Sequence, residues 1–206
     1  LDGQVAVVTG ASSGIGRAIA LALAARGARL CLVGRDPDAL RSVVQSSATP
    51  QGGHRCHRAD LALDRDVDEL GAALAGELAR VDVLVHAAGV LHWGAFDAAT
   101  PGQFDEQYRT NLRAPYVLTQ QLLPQLKAAQ GQVVFVNSSA GLSARANVGP
   151  YAATKHGLKA VADSLREEVN AAGVRVLSLF VGRTATRMQA GLHAVEGKGY
   201  DPQSLI

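Results

Sequence analysis

Short apolar runs alternate with longer amphipathic stretches from one end of the chain to the other. Val5-Ala6-Val7-Val8 is apolar without a break, the pattern of a strand covered on both faces rather than on one. Behind it Ile15, Ala18, Ile19, Ala22 and Leu23 recur at helical spacing, and Gly27 supplies a stop. Leu30, Cys31, Leu32 and Val33 predict a second strand. Asp36-Pro37 then opens a helix, with Asp as N-cap and Pro at the first helical position. A weak third strand over residues 54–59 precedes a helix over 64–79, and residues 81–86 predict a fourth strand. From Thr100-Pro101 a helical stretch runs to about residue 129, with a bend at Asn111. A fifth strand over 133–136 leads to a helix with Leu158, Val161, Leu165 and Val169 on one stripe, and a sixth strand covers 174–180. Six alternations of this kind predict an α/β fold with a parallel sheet and helices on both faces. Right-handed crossovers make that sheet doubly wound. No linker or composition shift divides the chain, so residues 1–206 are expected to form a single domain.

Composition narrows the partners. The chain has 206 residues, 48% of them hydrophobic and 18% charged, which suits a folded domain and not a disordered one. The formal net charge is only +2, with basic residues scattered, so nothing electrostatic points to nucleic acid or an anionic membrane. No apolar run approaches the length of a membrane span. Leu1-Asp2-Gly3-Gln4 carries no basic region ahead of an apolar run, so a secretory signal is not expected and a cytoplasmic location is. Two cysteines make no disulfide framework. Cys31 reads as a buried small hydrophobe. His54, Cys56 and His57 are three ligand types in four residues, but no second cluster at ligand spacing completes a site, and no metal is expected.

The first strand passes into the first helix through Thr9-Gly10-Ala11-Ser12-Ser13-Gly14-Ile15-Gly16. At such a junction glycines let the chain turn tightly and let phosphate oxygens reach the backbone, while the free N–H groups of the helix start face a pyrophosphate. A turn with glycines for geometry alone is the competing reading. A nucleotide-triphosphatase loop is excluded, because the Gly-Lys-Ser/Thr ending is missing. Gly10, Ser12, Ser13, Gly14, Ile15 and Gly16 are therefore expected to hold a dinucleotide. The second strand ends in Val33-Gly34-Arg35, where an NAD site usually carries an acidic residue. Gly34 leaves space and the Arg35 fork suits a phosphate, so NADP(H) is the expected coenzyme, with NAD(H) as the alternative. A solvated surface Arg is the plainer account of Arg35. Asp60 and Leu61, just past the third strand, are placed for the adenine, with Asp60 accepting from its amine; a turn or cap is the ordinary role for such an Asp.

Tyr151 and Lys155 are four residues apart at the start of a helix, so both project from one face. A phenol titrates near ~10 and a neighbouring ammonium favours its phenolate, which makes the pair a proton donor and acceptor for carbonyl/alcohol interconversion. Alone, Tyr-x-x-x-Lys is more often surface decoration. Ser138 stands at the carboxyl end of the fifth strand, where ligands bind in open α/β sheets.

Taken together, the Thr9-Gly10-x-x-x-Gly14-x-Gly16 loop, Asn111, Ser138 and Tyr151-x-x-x-Lys155 resemble the short-chain dehydrogenase/reductase family of the single Rossmann-domain type. The likeness runs from Gln4 to about Gln189. It implies an oxidoreductase with Tyr151 as general acid/base and Ser138 orienting the substrate oxygen, Ser139 being the fallback. It further implies that Lys155 binds the nicotinamide ribose and lowers the Tyr151 pKa, and that Asn111 holds a water linking Lys155 to solvent. Ala88, Gly89, Gly182, Thr184 and Thr186 match positions near the coenzyme. Several positions depart from the family pattern. His86-Ala87-Ala88-Gly89 replaces a frequent Asn-Asn-Ala-Gly, Val181-Gly182 replaces Pro-Gly, and Ser13 stands where many NADP-dependent members have a basic residue. Family members continue into a further helix and a seventh strand, so the fold is expected to be truncated at its carboxyl end.

A redox sensor that binds NADP(H) without turnover is the alternative from another class. A sugar-nucleotide epimerase is disfavoured by glycine spacing and by the small carboxyl-terminal region. Leu142, Val148, Met188 and Leu192 predict an apolar cover and hence a fairly apolar carbonyl or alcohol substrate. Trp93 and His92 either line the same cleft or pack on the surface. A homodimer or homotetramer is implied by the resemblance alone.

Overall fold

The computed structural model describes residues 1–195 and residue 201, and the six apolar runs form one parallel sheet in it. The strands are β1 (Val5–Thr9), β2 (Arg29–Gly34), β3 (Arg55–Arg58), β4 (Val83–His86), β5 (Gln132–Ser138) and β6 (Arg175–Val181). Between and after them come α1 (Gly14–Ala24), α2 (Pro37–Gln45), α3 (Asp64–Glu77), α4 (Pro101–Tyr108), α5 (Ala114–Ala129), α6 (Gly149–Val169) and α7 (Arg187–Val195). Side by side the strands run β3-β2-β1-β4-β5-β6, all parallel. The chain therefore begins at the centre, builds outward to one edge, then returns to build the other half. Where the order reverses, β1 and β4 send their following segments to opposite faces and leave a crevice at their carboxyl ends.

Both faces are covered, which explains the unbroken apolar strands. Val5, Val7, Val33, Leu84 and Phe135 pack with Leu74, Leu118, Leu122 and Leu158 from α3, α5 and α6. Ala6, Val8, Leu30, Leu32 and Val85 pack with Ala20, Ala24, Leu40 and Val43 from α1 and α2. The helix starts follow the local chemistry. Asp36 accepts from the Asp38 and Ala39 amides at 2.9 and 3.1 Å with Pro37 next, and Thr100 and Gln103 form a reciprocal capping box ahead of α4. The expected bend at Asn111 falls on a π-helical turn, Arg109–Arg113, that joins α4 to α5. Such turns gather at functional sites.

His54 is used up structurally: its Nδ1 accepts from the Leu30 amide at 3.0 Å and its Nε2 lies 3.2 Å from the Thr49 hydroxyl. Among the described residues no three His, Cys, Asp or Glu side chains gather as a metal site, and no helix is long and apolar enough to cross a membrane. Cys31 is buried, and burial pushes its thiol up to about 11, as for an inert core residue.

Candidate active site

Two adjoining cavities open at the carboxyl edge of the sheet. The first, about 220 Å³, lies over the turn from β1 to α1. Gly10 has φ +64°, and a Cβ there would lie 2.7 Å from the backbone N and Cα of Ala88. The turn after β1 thus touches the chain leaving β4. Thr9 locks this contact, its hydroxyl accepting from the Ala87 and Ala88 amides at 3.2 Å each. A Cβ at Gly16 would lie 2.3 Å from the Gly10 carbonyl oxygen, so the first turn of α1 presses onto the same loop. Ser13, the N-cap, makes no side-chain capping bond, and no acid stands in the first turn. The leading N–H groups of α1 accordingly have no cap from Ser13 and no acid in the first turn, and Gly14, Ile15 and Gly16 line the cavity.

Every expected coenzyme-side residue of this half lines the cavity: Gly10, Ser12, Ser13, Gly14, Ile15, Gly16, Arg35, Asp60, Leu61, Ala88 and Gly89. Arg35 is exposed and takes part in no ion pair among the described residues. Asp60 also fills the ordinary turn role, its Oδ1 accepting from the Ala62 amide at 3.0 Å.

The second cavity, about 460 Å³, shares Ile15, Ala87, Ala88, Gly89, Thr186 and Met188 with the first. Ser138 enters it from the last position of β5, Tyr151 and Lys155 from α6, and Gly182 and Thr184 from the segment after β6. Lys155 is 4% exposed; its Nζ donates to the Val136 carbonyl at 3.0 Å and lies 5.7 Å from the Tyr151 ring centroid. Burial lowers the Lys155 ammonium to about 8. The Tyr151 phenol moves the other way. Burial raises it, and the Ser138 hydroxyl beside it draws it partly back down. The lowering of the Tyr151 pKa by Lys155 that the resemblance implied is therefore not what the chain by itself shows. Desolvation of the phenolate dominates, and the ammonium is itself disfavoured by the same burial.

Asn111 differs in place from the other expected site residues. It is fully buried within the π-helical turn and lines neither cavity. Its Nδ2 donates to the Val90 carbonyl at 2.9 Å and to the Thr154 hydroxyl at 3.2 Å, and its Oδ1 accepts from the Val90 amide at 2.8 Å. The side chain ties the segment after β4 to α6.

Two supporting residues escaped the sequence reading. Asn137, buried, donates to the Lys155 carbonyl at 3.1 Å and accepts from the Ser138 amide at 2.8 Å, clamping β5 to α6 between the two site residues. The Thr154 hydroxyl donates to the Tyr151 carbonyl at 2.8 Å and accepts from Asn111. Both stand next to residues the motif singles out, but nothing in their type or spacing marks them. Trp93, Leu142, Val148 and Met188 line the second cavity as an apolar cover. His92 instead bonds Glu106 at 2.7 Å and Gln107. The Leu192 side chain lies outside the described residues. Ser139 is exposed and opens a 3₁₀ turn, and Ser138 is the serine that acts on the phenol.

His86 occupies a position where the family often has Asn. It is buried, stacked on Phe135 at 5.1 Å, bonded through Nε2 to the Thr119 hydroxyl at 2.8 Å, and lowered by burial to about 3 from 6.5. Between those two values the unfolded chain holds a proton here that the folded chain does not. Stability is thus lost as pH falls from 6.5 toward 3, at up to about 1.4 kcal/mol per pH unit from this group. In His86→Asn the melting temperature should fall less steeply across that window; an unchanged acid limb would show that His86 does not titrate as described.

Known proteins share this sequence pattern and fold. The sequence profile of the family described as short chain dehydrogenase matches residues 4–197. A short chain dehydrogenase from Salmonella enterica serovar Typhi superposes with a TM-score of 0.91 at 33% identity, over 100% of this chain and 85% of that one. An alcohol dehydrogenase from Thermococcus sibiricus complexed with 5-hydroxy-NADP superposes with a TM-score of 0.85 at 27% identity, over 98% of this chain and 83% of that one. D-threitol dehydrogenase from Mycolicibacterium smegmatis is 34% identical over 85% of this chain and 68% of its own length.

Proposed function

The chain belongs to the short-chain dehydrogenase/reductase family, and on that premise we propose that it exchanges a hydride between NADP(H) and the carbonyl or alcohol carbon of a small molecule, with Tyr151 as the general acid and base. The observation that carries this reading is the meeting of two cavities, one over a glycine cradle and the other holding Tyr151, Ser138 and Lys155.

The cradle suits a dinucleotide. Side chains at Gly10 and Gly16 would strike the backbone that shapes the loop, so glycine keeps the turn tight, and the uncapped start of α1 offers N–H groups to a pyrophosphate. Gly10 to Gly16 would hold the phosphates, Asp60 and Leu61 the adenine end, Arg35 the 2′-phosphate, and Ala88, Gly89, Gly182, Thr184 and Thr186 the nicotinamide half. The chemistry such a dinucleotide contributes when bound is exchange of a hydride with a carbonyl or alcohol carbon. Tyr151 supplies the matching proton. Its raised pKa keeps the O–H protonated at neutral pH, ready to donate to a carbonyl oxygen as that oxygen gains negative charge. Ser138 bonds the same oxygen and fixes its approach. Lys155 steadies the developing phenolate and the ribose. Asn111 and Thr154 hold α6 in register with the loop after β4. The apolar cover predicts a fairly apolar substrate, and a homodimer or homotetramer in the cytoplasm completes the reading.

The reading is tested by following NADPH oxidation with a panel of ketones and aldehydes, run beside NADH. NADPH should be the better coenzyme. In Arg35→Ser the KM for NADPH should rise about ten- to a hundredfold, the size of a lost charge-assisted bond, while the KM for NADH stays within about twofold. Native protein that prefers NADH would overturn the assignment of Arg35.

A further inference from the structure

The cavity beside Tyr151 is cationic. Lys155, Arg145 and Arg183 line it, and among the described lining residues there is no Asp or Glu. Arg145 stands in the segment between β5 and α6, is exposed, and takes part in no ion pair among the described residues. Arg183 follows β6, and its Nη1 lies 2.7 Å from Nε2 of His193. A guanidinium can only donate, so the buried His193 accepts and anchors Arg183 against α7. The first cavity already provides for the coenzyme phosphates through the glycine loop and Arg35, and neither Arg145 nor Arg183 lines it. The rest of the lining mixes apolar side chains with uncharged polar ones such as Ser138, Ser143 and Gln189, so an anion entering the recess meets basic groups and no acidic one among the described lining residues.

We propose that the substrate carries a carboxylate on its apolar body, bound by Arg145 and Arg183 while the reacting oxygen sits at Tyr151 and Ser138. This rests on the oxidoreductase reading above and names its substrate class. A carboxylate matches the planar fork of arginine, and a charge-assisted bond to it is stronger than one between neutral groups, while Trp93, Leu142 and Met188 offer contact to an apolar body. Arg145, whose guanidinium is not bonded to α7 as that of Arg183 is, decides preference between acid and neutral ligands.

The test is a calorimetric titration of the protein saturated with NADP⁺, saturation being checked by displacement of fluorescent NADPH. The probes are benzoylformate and benzoylpropionate, each beside its methyl ester. At least one acid should bind about ten- to a hundredfold more tightly than its ester, with the gap shrinking as salt is added. Arg145→Gln should close the gap and Arg145→Lys should keep part of it, since the charge remains and the fork is lost. Esters that bind as well as the acids, acids that do not bind, or a gap that survives Arg145→Gln would each overturn the proposal. Because the titration needs no turnover, the two readings fail separately. Acid preference without NADPH oxidation removes the reaction and keeps the anion site. NADPH oxidation with esters as good as acids removes the anion site and keeps the reaction.

Discussion

Tyr151→Phe is expected to lower kcat for NADPH-dependent reduction about a hundred- to ten-thousandfold, the range of a positioned acid or base, with the Kd for NADPH changed by less than about threefold. The substitution removes one oxygen and keeps the ring that lies 5.7 Å from the Lys155 ammonium. Folding should be undisturbed. The pH dependence carries a sign that follows from burial. With the phenol raised above 10, carbonyl reduction uses the protonated form and should hold level through neutral pH. Alcohol oxidation needs the deprotonated form, so its rate should climb with pH on the alkaline side. Lys155, held near 8, also begins to lose its charge there, which limits the climb. Absorbance kinetics on both directions check this. If Tyr151→Phe keeps its activity within about threefold, another group moves the proton and the mechanism falls. If the native protein binds NADPH tightly and turns over no carbonyl compound in a broad panel, the sensor reading takes its place.

Gly10→Ala should cost about 2–5 kcal/mol of stability and weaken NADPH binding by at least about a hundredfold, because two penalties meet in one atom. A side chain at φ +64° costs about 1–2 kcal/mol in the left-handed region. The added methyl would also stand 2.7 Å from the Ala88 backbone, and overpacking of this kind costs about 1–3 kcal/mol. No flexible side chain can give way, since the nearest atoms all belong to the backbone of Ala87 and Ala88. Relief comes only by parting β1 from the segment after β4, which breaks the Thr9 bonds and opens the cradle. The urea midpoint should drop at an unchanged m value, and fluorescence titration should report the lost affinity. Gly94→Ala is the control. A Cβ there meets nothing within 4 Å, so both quantities should stay near native. A Gly10→Ala protein with native midpoint and affinity would show that the turn does not pack as described.

The second prediction also shows where sequence and structure part company. The Gly10, Gly14 and Gly16 spacing was legible as a tight turn from strand to helix, since strand, glycines and helix start are contiguous. That Gly10 packs on Ala88, seventy-eight positions away, was not. The segments of Arg145 and Arg183 were expected over the substrate as an apolar cover, and the basic groups they bring to it were not. They belong to segments after different strands, and only the pairing of β5 with β6 brings those segments to one cavity.

Local chemistry decided what local chemistry can. Unbroken apolar runs specified strands buried on both faces, Asp36-Pro37 and Thr100-Pro101 specified helix starts, and Tyr151-x-x-x-Lys155 placed two groups on one helical face, since each property depends on neighbours within a few residues. The strand order β3-β2-β1-β4-β5-β6, the clamp of Asn137 on Lys155 and Ser138, and the engagement of the Asn111 amide with Val90 and Thr154 were decided by tertiary packing. The direction of the Tyr151 shift belongs with them. Spacing told of a nearby cation, but desolvation depends on everything packed around the ring, and that is a property of the folded chain.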